Sequence, residues 1–278
     1  YRRQRQMCIR DSATSVPYGE VEAIRAMDGV ESVYVENQYE PDVDEPNTAT
    51  AGTMIGSYNA WADGYTGAGS RVAIIDTGLD IDHPSFDESA FLYGLERSAA
   101  RFGKQVSDYD LMTEEDITKV LPRLHASERM SGLTADELYR TAKIPYAFNY
   151  IDEDLDVTHD NDAQGDHGTH VAGIVAANPA DGSVTGVAPQ AQLMILKVFP
   201  DGSTGANSDD ILAALEDCVT LGVDVVNLSL GSPAGFTYRS DLLSTMEVYD
   251  RLAKAGIIVA AAAGNEYSAA YKLSLIHI

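Results

Sequence analysis

Cysteine is nearly absent from this sequence, which has only Cys8 and Cys218 among its 278 residues. Cys218 falls on the apolar face of a predicted helix and Cys8 in an atypical terminus, so no disulfide framework can be claimed. The source of stability must therefore be a hydrophobic core. The length allows one large α/β domain with such a core, alone or with an appendage.

Basic residues are also scarce. The 19 lysines and arginines are outnumbered by 43 aspartates and glutamates, which gives a formal net charge of −24 and a pI of about 4.3. Phosphate backbones and anionic membrane surfaces would repel such a chain. We therefore expect no nucleic-acid partner, and the composition favours a secreted or surface-displayed protein.

Long hydrophobic runs are missing as well, since no stretch reaches the roughly 18 consecutive apolar residues of a membrane helix. No signal peptide opens the chain at Tyr1. We expect no membrane span in this chain, and export would need an upstream segment. The scarcity of cysteine does not conflict with export.

The two ends differ from the rest of the sequence. Residues 1–12, YRRQRQMCIRDS, hold four arginines in an otherwise acidic chain, and residues 271–278 read YKLSLIHI. We interpret both as non-native sequence and leave them out of the fold argument. The alternative is a genuine basic arm at one end and an edge strand at the other.

Residues 13–45 show the pattern of half a small α/β module. A short amphipathic helix would place Val21, Ile24 and Met27 inward, Gly29 would make a turn, and an alternating strand would follow over 30–39.

The central motif of the chain is QGDHGTHVAGIVAAN, residues 164–178. A helix rich in Ala and Gly begins at His167, where it can pack closely on a sheet and hold the imidazole rigidly. Taken alone, a histidine at a helix start is usually a cap. A zinc pair is disfavoured, because His167 and His170, one turn further in, lack the HExxH spacing and its glutamate.

Two apolar strands give this histidine a context. Residues 71–82, RVAIIDTGLDID, stop at Asp76, and residues 256–266, GIIVAAAAGNE, form a predicted buried strand that ends at Gly264 and Asn265. Apolar strands at 193–199 and 223–230 alternate with a helix at 208–221. This alternation predicts an α/β fold with a doubly wound, mostly parallel sheet and helices on both faces. Ligands bind beyond the carboxyl ends of such strands.

Four motifs in this order resemble the subtilisin-like serine peptidases: IIDTGLDIDHP, DHGTHVAGIVAAN, ANSDDILAALEDCVTLGVDVVNLSLG and AAAAGNE. The resemblance covers residues 55–267 and is greatest to cell-envelope proteinases of the lactocepin kind. It implies a peptidase domain at 46–278, incomplete at its C-terminus, and the tail of an inhibitory propeptide with its linker at 13–45. A plain N-terminal strand is the alternative for that segment.

The resemblance assigns roles to three residues. Asp76 would fix the tautomer of His167, His167 would act as general base and then acid, and Asn265 would donate its amide to the oxyanion. Read separately, Asp76 is typical of a turn cap and Asn265 of a left-handed turn.

The resemblance also implies that a protein or peptide substrate is held as an added β-strand. The candidate residues are Gly202 and Gly205 in one flanking strand, Ser229, Leu230 and Gly231 in the other, and Ala262 and Gly264 in a pocket wall. Core packing is the alternative role for all of them.

No serine has GTSxA or GxSxG surroundings, so the nucleophile is missing from the sequence as given. We expect it beyond residue 278 and expect the fragment itself to be inactive. A catalytically inactive binding module of the same fold is the alternative. A nucleotide-binding domain is excluded, because the turn at Gly67 and Gly69 precedes a strand instead of following one.

Residues 87–146 form a predicted helical insertion with amphipathic runs at 90–102, 113–124 and 134–142. TEED and TADE are its capping sequences. Two roles stay open: a cover over the substrate-side surface, or a stabilising decoration without contact to substrate.

No cofactor is expected for the chemistry, and calcium stays open as a structural ion. Asp152, Asp154 and Asp156 alternate like an EF-hand loop, but the sixth position is Val157 and the twelfth is Ala163. A solvated loop explains this stretch better. The resemblance gives no firm calcium site either, because Ser85 stands where the family often has an aspartate ligand.

Overall fold

The computed structural model describes residues 5–6, 12–13, 16–30, 33, 38–41, 48–158, 165–202, 205–233, 243–264 and 272–273. Its centre is a sheet of five strands, numbered along the chain: β1 Arg71–Asp76, β2 Tyr146–Asn149, β3 Gln192–Lys197, β4 Val225–Leu228 and β5 Ile258–Ala261. They lie in the order β5-β4-β1-β3-β2, and every neighbouring pair is parallel. The predicted fold class is confirmed.

The helices of the described part alternate with these strands. They are α1 Val21–Arg25, α2 Thr48–Ile55, α3 Ser57–Ala62, α4 Glu88–Arg101, α5 Glu114–Val120, α6 His125–Arg129, α7 Ala135–Leu138, α8 His167–Ala176, α9 Ser208–Leu221 and α10 Leu243–Lys254. Short 3₁₀ turns occur at Tyr18–Glu20, Pro84–Phe86, Val106–Asp108 and Leu121–Arg123. Among the described residues, no helix combines the length and the apolar character needed to cross a bilayer.

Strands β1, β2 and β3 are buried on both faces of the sheet, as their apolar residues at successive positions predict. Ala73 and Ile75 of β1 belong to one core, which includes Cys218 of α9. Ile74 belongs to the other core, on the face covered by α8, where Ala172 is fully buried. Cys218 is therefore buried, as predicted from its position on the apolar face of a helix.

The insertion is helical, as predicted, and begins with α4. The predicted caps are confirmed: Thr113 and Asp116 form a reciprocal capping box at α5, and Thr134 and Glu137 form one at α7. Helices α5 and α6 pack on α9, and α7 packs on strand β2. Side chains of the insertion complete the core on that face of the sheet; they are Met112, Ile117, Leu124, Ala126, Leu133, Ala135 and Leu138.

A second, smaller sheet lies beside the first. Gln38–Pro41 forms its inner strand and pairs antiparallel with Ala206–Asn207 on one side and with Leu230–Pro233 on the other. Lys272–Leu273 pairs with the outer side of Leu230–Pro233. Because Ala206–Asn207 precedes α9 and Leu230–Pro233 follows β4, this sheet grows from the carboxyl edge of the main one.

Two predictions about local structure were wrong, and a third is tested only in part. The strand expected to be buried at 256–266 is the edge strand β5, with Ile258 65% exposed. Helix α1 has no buried residue, and Met27, predicted to face inward, is 57% exposed. The strand predicted at 30–39 occurs at Gln38–Pro41, while residues 31–32 and 34–37 lie outside the described part of the chain.

Candidate active site

The structure brings together Asp76 and His167, which are 91 residues apart in sequence. Asp76 is the last residue of β1, at the carboxyl edge of the sheet, and His167 is the first residue of α8. His167 Nδ1 lies 2.7 Å from Asp76 Oδ1, and the side chains are 7% and 1% exposed. A strand end and a helix start thus hold a carboxylate and an imidazole in direct contact, out of bulk water.

Two glycines permit this close approach of strand and helix. Gly78 has a φ of +111°, and a Cβ atom there would lie 2.2 Å from the carbonyl oxygen of Val157. A Cβ atom on Gly168 would lie 2.2 Å from the carbonyl oxygen of Gly78. A side chain at Gly168 would therefore push α8 away from the end of β1, and a side chain at Gly78 would displace the segment that contains Val157.

Backbone hydrogen bonds fix the orientation of the carboxylate. The amide of Thr77 donates to Asp76 Oδ1 at 2.7 Å, the same oxygen that contacts His167. Thr77 Oγ1 in turn accepts from the amide of Gly168 at 2.9 Å, and Lys197 Nζ donates to the Thr77 carbonyl at 2.8 Å. Thr77 therefore links the strand end to the first turn of α8.

Thr77 and Lys197 were not predicted as site residues. Thr77 stands inside IIDTGLDIDHP, so the motif could have indicated it. Lys197 is fully buried and lies opposite Asp76 in the register of β1 and β3. A lysine that ends the apolar run QLMILK was the available signal for a buried charge near the site.

The arrangement can prepare the imidazole to accept a proton. With Nδ1–H donating to Asp76, the lone pair of the ring is on Nε2, which is the nitrogen a general base needs. The second oxygen of Asp76, Oδ2, is buried and has no hydrogen-bond partner within the described ranges. An imidazolium at His167 would therefore be stabilised by the buried carboxylate in direct contact with it.

His170 does not share this environment. It was predicted to lie one turn further in, but its side chain is 55% exposed and its Nε2 is 3.5 Å from Asp166 Oδ2. The part of the chain that the structure describes contains no cluster of three or more His, Cys, Asp or Glu side chains arranged to hold a metal. The HxxH spacing therefore reflects one buried and one surface histidine.

The predicted substrate-binding residues lie around the small sheet. Leu230 and Gly231 pair with Pro41 and Glu40, and Ser229 Oγ accepts from Asn227 Nδ2 at 2.9 Å. On the other side, the paired strand is Ala206–Asn207; of the residues predicted to form it, Gly202 lies in a turn and Gly205 comes directly before the strand.

The predicted pocket wall follows β5. The amide of Ala262 donates to the carbonyl of Leu228 at 2.9 Å, and Gly264 has a φ of +86°. Since the carboxyl ends of parallel strands meet at one edge of a sheet, both residues share the edge that carries Asp76. Asn265, the predicted oxyanion donor, lies outside the described residues.

The acidic loop after β2 uses its carboxylates to cap turns. Asp154 Oδ1 accepts from the amide of Asp156 at 3.0 Å, and Asp156 Oδ1 accepts from Thr158 Oγ1 at 2.7 Å. Ser85 is buried, and its carbonyl accepts from the amide of Asn178 at 2.8 Å. Calcium as a structural ion stays a prediction.

Comparison with known proteins identifies the family. The model of the Subtilase family matches residues 67–275, which is most of the chain. The chain belongs to the subtilase family of serine peptidases. The motif resemblance is therefore confirmed.

Two relatives and one solved structure give the extent of the similarity. The PII-type proteinase of Lacticaseibacillus paracasei is 30% identical over 94% of this chain, and the Minor extracellular protease Vpr of Bacillus subtilis is 28% identical over 95%. The chain spans 12% and 27% of the lengths of these relatives. Fervidolysin from Fervidobacterium pennivorans is 21% identical, with a TM-score of 0.46, over 77% of this chain and 24% of its own.

Proposed function

We propose that the protein is a serine endopeptidase that hydrolyses peptide bonds of extracellular proteins, with Asp76 and His167 as two members of an Asp-His-Ser triad. The observation that carries this proposal is the buried 2.7 Å contact between His167 Nδ1 and Asp76 Oδ1. The serine would lie beyond residue 278, because no serine in the sequence has the surroundings of a subtilase nucleophile.

The proposed chemistry follows from this contact. His167 Nε2 takes the proton of the serine hydroxyl as the serine oxygen attacks the scissile carbonyl carbon. The carbonyl oxygen becomes an oxyanion, to which the side-chain amide of Asn265 donates a hydrogen bond. His167 then gives the proton to the leaving amine, while Asp76 stabilises the imidazolium throughout and stays ionised.

Substrate binding as an added strand is supported by the chain itself. Gln38–Pro41 lies extended between Ala206–Asn207 and Leu230–Pro233, with Tyr39 opposite Ala206 and Glu40 opposite Gly231. A segment held on both sides through its backbone can be exchanged for another sequence, because backbone pairing does not depend on side chains. This groove is therefore where we propose that an extended peptide binds.

The same pairing supports a propeptide role for residues 13–45. A segment that fills the peptide groove would exclude substrate until it is cut or displaced, which is what an inhibitory propeptide must do. We propose that the linker after Pro41 is the place of maturation, with the peptidase domain following from residue 46 and the insertion at 87–146 as part of it.

The extracellular location is part of the proposal. It is supported by the net charge of −24 and by the name of the Bacillus relative. An inactive binding module of the same fold finds no support in the comparisons, since the relatives are named as proteinases and a protease.

The proposal can be tested with the complete protein, expressed with the sequence that follows residue 278. We expect it to hydrolyse an unstructured protein substrate and to be blocked by a serine-directed fluorophosphonate. The 278-residue chain, assayed in parallel, should show neither turnover nor labelling. Turnover that a metal chelator stops and the fluorophosphonate leaves unchanged would contradict the proposed mechanism.

The role of Asn265 has its own test in the complete protein. Asn265→Ala should lower kcat by about 10²–10³, as the loss of such a donor does in subtilisin, and leave KM nearly unchanged. The reason is that the amide meets the oxygen only after it has become an oxyanion. A raised KM at constant kcat would assign Asn265 to substrate binding instead.

A further inference from the structure

The helical insertion reaches the strand that borders the proposed peptide groove. Arg129, the last residue of α6, has a side chain that is 4% exposed. Its Nη1 donates to Asp210 Oδ1 and to the carbonyl oxygen of Tyr150, each at 2.5 Å. The guanidinium therefore connects the insertion to the first turn of α9 and to the end of β2.

Asp210 connects Arg129 to the strand that borders the groove. Its side chain is fully buried, and its second oxygen, Oδ2, accepts from Asn207 Nδ2 at 3.0 Å. The two oxygens of one buried carboxylate thus hold Arg129 from the insertion and Asn207 from the strand Ala206–Asn207. The backbone of Asn207 is paired with Gln38, so the residue lies directly against the extended segment that fills the groove.

The side chain of Asn207 does not cap its own helix. Asn207 is the N-cap residue of α9, where an asparagine ordinarily accepts a hydrogen bond from its own helix. Its side chain makes no such cap bond and points its amide at Asp210 instead. The orientation of this strand residue is therefore set by the carboxylate, and through it by Arg129.

We propose that Arg129 is a positioning residue for substrate: it holds Asp210, which fixes Asn207 and with it the strand on which an extended peptide pairs. A buried carboxylate that lost its guanidinium would move toward water, which releases Asn207, or take a proton, which weakens the hydrogen bond from Asn207 because the acceptor loses its charge. This inference rests on the proposed peptidase function. It gives the insertion a part in substrate binding, although Arg129 does not contact the peptide.

The test compares a long and a short substrate in the complete protein. A tetrapeptide anilide can pair with Ala206–Asn207, whereas the N-acetyl ester of its last residue is too short to reach the strand. Arg129→Gln should lower kcat/KM for the tetrapeptide by about tenfold or more, mainly through KM, because misplaced binding groups cost up to about 10²-fold. The ester should change less than about twofold, since the chemical groups are untouched. Arg129→Lys should restore part of the loss.

A matched control is available in the same insertion. Arg140 is partly buried, and its Nη2 donates to the carbonyl oxygen of Leu155 at 2.6 Å, away from the groove strand. Arg140→Gln removes the same charge and should affect both substrates equally. Equal losses on both substrates for Arg129→Gln as well, or no loss on either, would overturn the inference.

Two further outcomes are decisive. If Arg129→Gln does not fold, Asn207→Ala separates the strand from Asp210 while the ion pair stays, and it should show the same selective loss on the tetrapeptide. An equal loss on both substrates there would overturn the inference. If the wild-type protein cleaves neither substrate and takes no fluorophosphonate, the proposed function itself fails and this inference with it.

Discussion

Strand β2, at one edge of the sheet, is buried at all four positions, whereas Ile258 of β5, at the other edge, is 65% exposed. Both strands are short, apolar and parallel to a single neighbour in the main sheet. They differ in what packs on them: helix α7 of the insertion packs on β2, while the face of β5 that carries Ile258 and Ala260 is exposed in the described structure. Whether an edge strand is buried thus depends on the elements that pack on it.

A buried carboxylate of α9 connects the covered edge strand, β2, to the insertion. Asp217 of α9 is fully buried and accepts from the Tyr150 hydroxyl at 2.7 Å and from the amides of His125 and Ala126 at 2.8 and 3.1 Å. His125 and Ala126 form the first turn of α6, so one side chain caps a helix of the insertion and binds the end of β2. The open edge is a place where another strand or an apolar surface can add.

Removing the Asp217 carboxylate should disconnect α9 from β2 and from the insertion, and it should give the largest change in stability. We expect Asp217→Ala to lower the free energy of unfolding by about 3 kcal/mol or more, because three donors, two of them buried, lose their acceptor. Urea denaturation measures this. Asp116→Ala, which removes an exposed carboxylate of a capping box in the same insertion, serves as control at about 1 kcal/mol. If Asp217→Ala lowered the free energy of unfolding less than Asp116→Ala, Asp217 would not be a main connection between α9, β2 and the insertion.

The stability of the fold should depend on pH through Asp217. Burial raises the pKa of Asp217 to about 6, from an ordinary value of 3.8. The folded state therefore holds this proton more tightly, so the part of the stability that depends on this proton is fully present below pH 4 and is lost as pH rises through about 6. By linkage, the loss is roughly 3 kcal/mol.

His125 acts in the same direction, because its hydrogen bond to Glu216 raises the pKa of the imidazole. Comparison with Asp217→Asn isolates the carboxylate, since the contact between His125 and Glu216 remains. Between pH 4 and pH 7 the wild-type chain should lose more unfolding free energy than the variant. Parallel curves for the two chains would show that Asp217 does not titrate as described.

The hydroxyl of Tyr150 is the one side-chain donor among the three hydrogen bonds to Asp217 described above, so its contribution can be measured separately. It donates to Asp217 and lies 2.8 Å from the hydroxyl of Tyr146. Tyr150→Phe should cost about 1 kcal/mol, because the ring still packs and the backbone donors still satisfy Asp217. The measurement is again urea denaturation. A loss as large as that of Asp217→Ala would transfer the main role to the tyrosine pair.

The open edge should tolerate change. Ile258→Lys is expected to alter the unfolding free energy by no more than about 0.5 kcal/mol and to raise solubility, because a charge blocks edge-to-edge pairing. Ile257→Lys, at a buried position beside it, should destabilise the fold clearly. Solubility and light scattering at equal concentration measure the first effect. Equal destabilisation by both lysines would mean that β5 is covered.

The sequence was a good guide where the determinants are local. The apolar strands, the glycines at Gly78 and Gly168 and the capping sequences of α5 and α7 are written in short stretches, so the parallel sheet and those helix starts could be predicted. The meeting of Asp76 with His167 could be predicted only from motif order within a family.

Other features depend on distant partners. Arg129 and Asp210 are 81 residues apart, and no pattern in either segment indicates the other. The exposure of Ile258 likewise depends on what lies beyond β5. These features could not be predicted from the sequence. A local hydrophobic pattern shows that a strand is apolar, but it does not show which distant segment packs on it.

In the proposed triad, Asp76 holds His167 as the catalytic base. The most direct test of this role is kcat for the tetrapeptide anilide in the complete protein, with Asp76→Asn against wild type. We expect a fall of about 10⁴ in kcat with an unchanged melting temperature, because an asparagine would hold the imidazole in the wrong tautomer. A folded Asp76→Asn protein that keeps kcat within tenfold of wild type would contradict it.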